Sequence, residues 1–398
     1  MSIRLQITEP APSAAGAPAW ALWQLGFRPF YLMASLFAAL SVALWALQFA
    51  GWLGHPYLAG PTWHAHEMLF GFTLAVIVGF LFTAGRNWSG QPTPTGLPLA
   101  ALAILWIAAR ILVVTPYGWA AAAANTAFPL LASAGLGLAL VRGRNRRNYF
   151  FALLLVLVSI AVLIVHLAQL GVLRLPAWIG IGLGLDIVLF IVSVMAGRVV
   201  PMFTNNGIAG AAAARHAGLE RMVLGATLLL LPVDALSLHG AAITVVLAAA
   251  AAAHLLRWWY WQPWKTLRTP LVWVLHAAYL FIVVHLGLRA LAEAAVLAPS
   301  AATHALTVGA AGTMMIGMMT RTARGHTGRP LVADRADLGC YTLVLSAGIV
   351  RVFVPLLLPG WTLPAVLVSA LLWSAGFGLY FLAYWPVLTR ARRDGKSG

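Results

Sequence analysis

Apolar runs follow one another along nearly the whole chain, separated by short breaks rich in Gly, Pro and basic residues. Each run is close to the ~20 residues that span a bilayer core as a helix. The pattern predicts twelve membrane-spanning helices, near residues 30–52, 62–84, 97–115, 119–141, 149–171, 177–200, 218–236, 239–257, 271–292, 303–321, 338–358 and 362–386. The breaks differ in charge. Even-numbered junctions carry Arg86, then Arg142, Arg144, Arg146 and Arg147, then Arg198, Arg215 and Arg221, then Arg257, Lys265 and Arg268, then Arg321, Arg324, Arg329 and Arg335. Both ends of the chain are basic too, whereas the odd-numbered loops hold only Arg174. Excess Lys and Arg mark cytoplasmic loops, so both termini are expected in the cytoplasm and the second helix is expected to start at the outer face.

Composition agrees with the pattern. Of 398 residues, 62% are hydrophobic and 9% charged, and mean hydropathy is +0.90. A soluble protein of this length needs far more charge to keep its surface wet. The fold class expected is all-α: a polytopic protein in a lipid bilayer. The expected organisation is a cytoplasmic tail over 1–21, one twelve-helix domain over 22–388 and a basic cytoplasmic tail over 389–398. The start of the chain lacks a basic stretch followed by an apolar core and does not read as a signal peptide. The net charge of +16 reports topology and not a nucleic-acid partner, because the basic residues sit in short inter-helix clusters. Cys340 is the only cysteine. That excludes an intrachain disulfide, a thiolate cluster and a C-x-x-C-H haem attachment. Any haem here is held by histidine.

The chain also resembles itself. Shifting the second predicted helix by 238 positions aligns His66 with His304, Gly71 with Gly309, Gly79 with Gly317, Arg86 with Arg324, Ser89 with Thr327, Gly90 with Gly328 and Pro92 with Pro330. Helices two and ten are eight apart, so the simplest unit is four helices used three times. His166 and Leu167 in helix five recur as His285 and Leu286 in helix nine.

Topology sorts the eleven histidines by depth. His64, His66, His166, His285 and His304 fall toward the outer face on four helices; His216, His254, His276 and His326 fall toward the cytoplasm. His239 and His55 read as structural. Ionisable groups at membrane depth are costly and mark functional sites by default. At 100° per residue His64 and His66 point about 200° apart, so they lie on an irregular turn or serve different centres. His64 and Glu67 share a helix face; Glu67 is read as a buried proton carrier or as the partner of His64. Imidazole suits haem iron, copper and zinc alike, so spacing does not name the metal. The cytoplasmic motifs "LGFRPF", "GRNWSG", "GRVVP" and "GHTGRPL" read as charge-anchored turns tying helix ends. The alternative is an anion, propionate or proton-entry site, which makes Arg324 and His326 cofactor-binding candidates. Arg110, Arg289, Arg351 and Asp186 are further intramembrane charges without an evident partner.

Five blocks in order, "LWQLGFRPFYL" (22–32), "WHAHEMLFGF" (63–72), "GFLFTAGRNWSG" (79–90), "GRVVPMFTNN" (197–206) and "GMMTRTARGHTGRPL" (317–331), resemble the NnrS family over almost the whole chain. "AGRNW" departs from the pattern, where an apolar or Pro-containing run is expected before Asn-Trp. The resemblance implies a haem- and copper-containing bacterial inner-membrane protein associated with nitric oxide and denitrification. A looser likeness of architecture to respiratory haem–copper oxidases, with twelve helices in three groups of four, is fold-level analogy only. The reading that follows is a membrane protein that binds nitric oxide and reduces it to nitrous oxide. His66 and His304 are expected as axial ligands of haem b. His64, with His166 or His285, is expected to hold copper or a second haem, and Glu67 to deliver protons. A quinol or a cytochrome supplies electrons. The alternatives are a non-catalytic haem-based sensor or protector against nitric oxide and, from another class, a transporter.

Overall fold

A computed structural model describes residues 20–52, 58 and 60–395; His55 and most of the N-terminal tail lie outside the described residues. The described chain forms twelve helices. They are α1 (Phe27–Phe49), α2 (Gly60–Ser89), α3 (Gly96–Leu112), α4 (Gly118–Arg142), α5 (Tyr149–Gln169) and α6 (Trp178–Gly207). Then come α7 (Ala217–Ala235), α8 (Ala241–Tyr260), α9 (Pro270–Glu293), α10 (Pro299–His304 running on to Thr313–His326), α11 (Arg335–Leu357) and α12 (Thr362–Thr389). Nine are long and apolar enough to cross a membrane, and α3 is a shorter apolar helix. α7 falls short because it carries Glu220, Arg221 and Asp234; α10 ends on Arg321, Arg324 and His326. The chain is an all-α polytopic membrane protein. Its lipid face shows in α3, where Leu97, Ile104 and Ile111 project 86%, 66% and 57% exposed at seven-residue spacing.

Both described ends of the chain lie at the same end of the bundle. The Ala21 N–H donates to the Thr389 carbonyl at 2.8 Å, and buried Arg28 donates to the carbonyls of Leu388 and Arg390, each at 2.9 Å. At this end, arginines of the predicted turns do tie helices together. Arg198 donates to Asn148 Oδ1 at 2.7 Å and lies over the rings of Trp88, Phe150 and Phe151.

The packing repeats every four helices. α1 lies along α12, α5 along α4 and α9 along α8, while α2, α6 and α10 meet at the centre. The match between α2 and α10 holds in local detail. Each helix switches from α to π hydrogen bonding one residue after its histidine, over Glu67–Thr73 and Ala305–Gly312. Ser89 Oγ donates back to Gly85 and Thr327 Oγ1 to Ala323, both at 2.6 Å. Gly90 and Gly328 then take left-handed φ of 65° and 68°, a conformation that favours glycine. Single π turns are rare and concentrate at functional sites. The recurrence of His166 as His285 spans 119 positions, half of 238. On that shift Glu67 falls on Asp186, and both are buried carboxylates on central helices.

Candidate metal sites at the seams of the bundle

The ionisable groups at the end opposite the termini gather at the seams between four-helix sets. At the first seam α2, α3, α4 and α5 converge. His66 and Glu67 are 0% and 1% exposed. His66 Nδ1 lies 2.8 Å from Glu67 Oε1, and Arg110 Nη1 donates to the same oxygen at 2.6 Å. Asn125 of α4 accepts from Arg110 and donates to the Ala121 carbonyl at 2.8 Å. The indole of Trp106 donates to the Gly71 carbonyl inside the π turn at 3.0 Å, fastening α3 to it. With Nδ1 committed to the carboxylate, Nε2 carries the lone pair of His66, and that atom is buried without a partner. The His166 ring stands beside it, centroids 4.9 Å apart and nearly perpendicular. A histidine whose Nδ1 is anchored on a carboxylate, leaving Nε2 free, is the arrangement of a metal ligand with its outer support.

At the seam between the third and first sets, α1, α2, α6, α10, α11 and α12 enclose a cavity of about 440 Å³. Ligand cavities commonly measure ~300–1,000 Å³. His64 and His304 line it with Arg351, among apolar side chains that include Leu69, Phe72 and Trp373. The His64 and His304 rings are nearly parallel with centroids 6.4 Å apart, and Trp45 backs His64 at 4.8 Å. His304 Nδ1 donates to the Ser300 carbonyl at 2.7 Å, so its Nε2 holds the lone pair. His64 Nδ1 is buried and unpartnered. Arg351 forms no ion pair among the described residues. A cation inside an apolar cavity calls for an anionic ligand.

Several expectations change here. The neighbour of His304 is His64, and that of His66 is His166, so the expected pairing of His66 with His304 gives way to two separate pairs. Regular helix geometry sets His64 and His66 on opposed faces, and the two rings do face different seams. Glu67 is the partner of His66 and Arg110 rather than of His64. His285 joins neither pair: its Nδ1 donates to the Ala302 carbonyl at 2.8 Å. Arg324 lies at the termini end, where Nε donates to Asp337 Oδ2 at 2.8 Å and an Nη2 reaches Asp334. It closes the start of α11 and is far in the fold from the histidine pairs. His326 packs on Phe27, centroids 5.7 Å apart. Arg351 and Arg110 are the residues whose roles sequence reasoning missed. The only signal was their charge at membrane depth.

A family model described as NnrS protein matches residues 21–392. The chain belongs to the NnrS family. No curated protein matches it. The NnrS match runs unbroken through all twelve helices, so both histidine pairs and every arginine named above lie within it. Among the described residues no three His, Cys, Asp or Glu side chains converge as a metal cage. The candidate sites of this NnrS chain are therefore imidazole pairs.

Proposed function

We propose that this protein is a haem–copper protein of the bacterial inner membrane, with both termini cytoplasmic, that binds nitric oxide at its outer end and reduces it to nitrous oxide. The observation that carries the reading is the cavity in which His64, His304 and the unpaired Arg351 meet. These residues fit haem b. Imidazole nitrogens would ligate the iron, and Arg351 would hold a propionate carboxylate. His66 and His166 fit copper: their rings lie side by side, and the free Nε2 of His66 is buried. Bound haem and copper supply electron transfer and a site where a diatomic can be activated.

The chain's own part is orientation. The Ser300 carbonyl fixes the tautomer of His304, and Trp45 holds the plane of His64. Glu67 fixes His66 and is itself fixed by Arg110. This gives Glu67 an orienting role in place of the proton delivery expected from sequence. The largely apolar wall suits a small neutral gas. Reduction of two nitric oxide molecules takes two electrons and two protons and yields nitrous oxide and water. Quinol or a cytochrome would be the electron donor. The test is purified protein given an electron donor: a Soret band with nitric oxide consumption and nitrous oxide release is expected. A Soret band shifted by nitric oxide without nitrous oxide release would make the protein a sensor or buffer. No chromophore at all would sink both.

A further inference from the structure

The third seam, between the second and third four-helix sets, holds a cluster with no part in either histidine pair. α9 presents His285, Arg289 and Glu293 four residues apart, as one stripe. Arg289 Nη1 lies 3.3 Å from Asp186 Oδ1 of α6, and Nη2 donates to Asp234 Oδ1 at the end of α7. Asp186 is 1% exposed, whereas the Asp234 side chain is 27% exposed. The remaining oxygen of Asp186, Oδ2, is buried and receives no donor. The Asp234 carboxyl lies within hydrogen-bonding reach of Asp186.

One guanidinium cannot neutralise two carboxylates. Two ionised carboxylates in contact inside a bundle repel each other, and buried acceptors without a donor are rare. A proton between them removes the repulsion and gives Asp186 Oδ2 its missing donor. The other ionisable groups nearby are engaged, save Nε2 of His285, which is buried without a partner. Glu293 accepts from the Gly240 N–H at 2.7 Å and faces His239 at 3.2 Å. His285 donates to Ala302. His166 and Glu67, on the other helices packed against α6, belong to the first seam, and His304 lines the cavity. We propose that Asp186 and Asp234 share one proton, making a proton-holding site that loads from the aqueous phase through the partly exposed Asp234. Use of that proton in nitric oxide reduction rests on the function proposed above; the sharing itself does not.

Infrared difference spectra of the purified protein between acid and alkaline pH read the site directly. The chain has nine acidic residues, so assignment by single substitution is practical. The expected result is a carboxylic-acid C=O band in the wild type near neutral pH, shifted in heavy water. It should vanish in both Asp186→Asn and Asp234→Asn and persist in Glu67→Gln. A wild-type spectrum without such a band overturns the proposal even if the variants fail to fold. So does a band that survives either Asp substitution, or one that appears only when sodium is withdrawn, since the pair would then hold a metal cation. Nitrous oxide release measured on the same samples separates the two ideas. A shared proton with unchanged turnover in Asp234→Asn leaves the site standing and removes its catalytic use. An absent band with normal turnover removes the shared proton and leaves the proposed nitric oxide reduction standing.

Discussion

Nδ1 of His66 and Nη1 of Arg110 converge on one carboxylate oxygen, Oε1 of Glu67, at 2.8 and 2.6 Å. The two side chains come from helices separated by a turn, and the carboxylate between them is the neighbour of His66 in sequence. An anion held on one side by a guanidinium orients the imidazole on the other and raises its basicity toward a metal. Glu67→Gln keeps the shape and removes the charge. Copper content at limiting metal is expected to fall, with affinity lower by about 10–100-fold, the usual cost of losing an outer-shell partner. The same change leaves Arg110 buried without its anion, a loss of about 3–5 kcal/mol in pairs of this kind. Metal analysis and thermal unfolding of the same preparation check both. Unchanged copper would remove the orienting role.

The two histidine pairs predict separable losses. His304→Ala and His64→Ala should abolish or strongly shift the Soret band while leaving copper near its wild-type ratio. His66→Ala and His166→Ala should do the opposite. Arg351→Leu should weaken haem retention on dilution without removing either imidazole from the cavity. Absorbance spectra and metal ratios of the five proteins decide this. A Soret band lost equally in His66→Ala and His304→Ala would restore the single-site pairing that the sequence invited.

The π turns make a steric prediction. A Cβ at Gly71 would fall 2.6 Å from Arg110 Nη1 and 2.8 Å from Phe37, and one at Gly309 would fall 2.1 Å from the Phe281 ring. Gly71→Ala must push Arg110 off Glu67, costing about 1–3 kcal/mol of overpacking and lowering copper as Glu67→Gln does. Gly309→Ala meets a ring wedged between helices and should lower the yield of folded protein further. Gly218→Ala, where nothing lies within 4 Å, should stay within about 0.5 kcal/mol of wild type. Equal behaviour of all three would mean that the close approaches at the π turns carry no constraint.

The twelve helices were legible because a bilayer demands long apolar runs and short basic breaks leave their mark in composition. Even α7, with Glu220, Arg221 and Asp234, was recognisable by its place between breaks. The recurrence of His66 as His304 was legible too, and it reports a shared π turn. Their pairing was not. Sequence spacing fixes the angle between His64 and His66 on one helix, but the neighbour each ring meets depends on which helices pack at each seam. Nor did the sequence distinguish Arg324 from Arg351. Both are arginines at a helix end or in a helix, yet Arg324 has two carboxylates ten and thirteen residues ahead, and Arg351 has none.

That contrast gives a last prediction, at the termini end. Asp334 caps α11: Oδ1 accepts from the Asp337 N–H at 3.0 Å, and Asp337 returns the bond to the Asp334 N–H at 3.1 Å. Partial burial pushes the Asp334 carboxyl up, but the Asp337 N–H and the Arg324 guanidinium outweigh it and hold it below the usual carboxylate value. A depressed acid contributes stability that is present above its unfolded value and lost as pH falls through the folded one. Asp334→Ala should therefore cost about 1 kcal/mol at neutral pH, the usual worth of a helix cap, and the difference from wild type should close in acid. Arg324→Gln should destabilise the same corner. If Arg324 is a helix fastener and not a propionate ligand, both variants keep a wild-type Soret band, because the cavity lies at the other end of the bundle. A Soret band weakened by Arg324→Gln but not by Asp334→Ala would return Arg324 to the cofactor site.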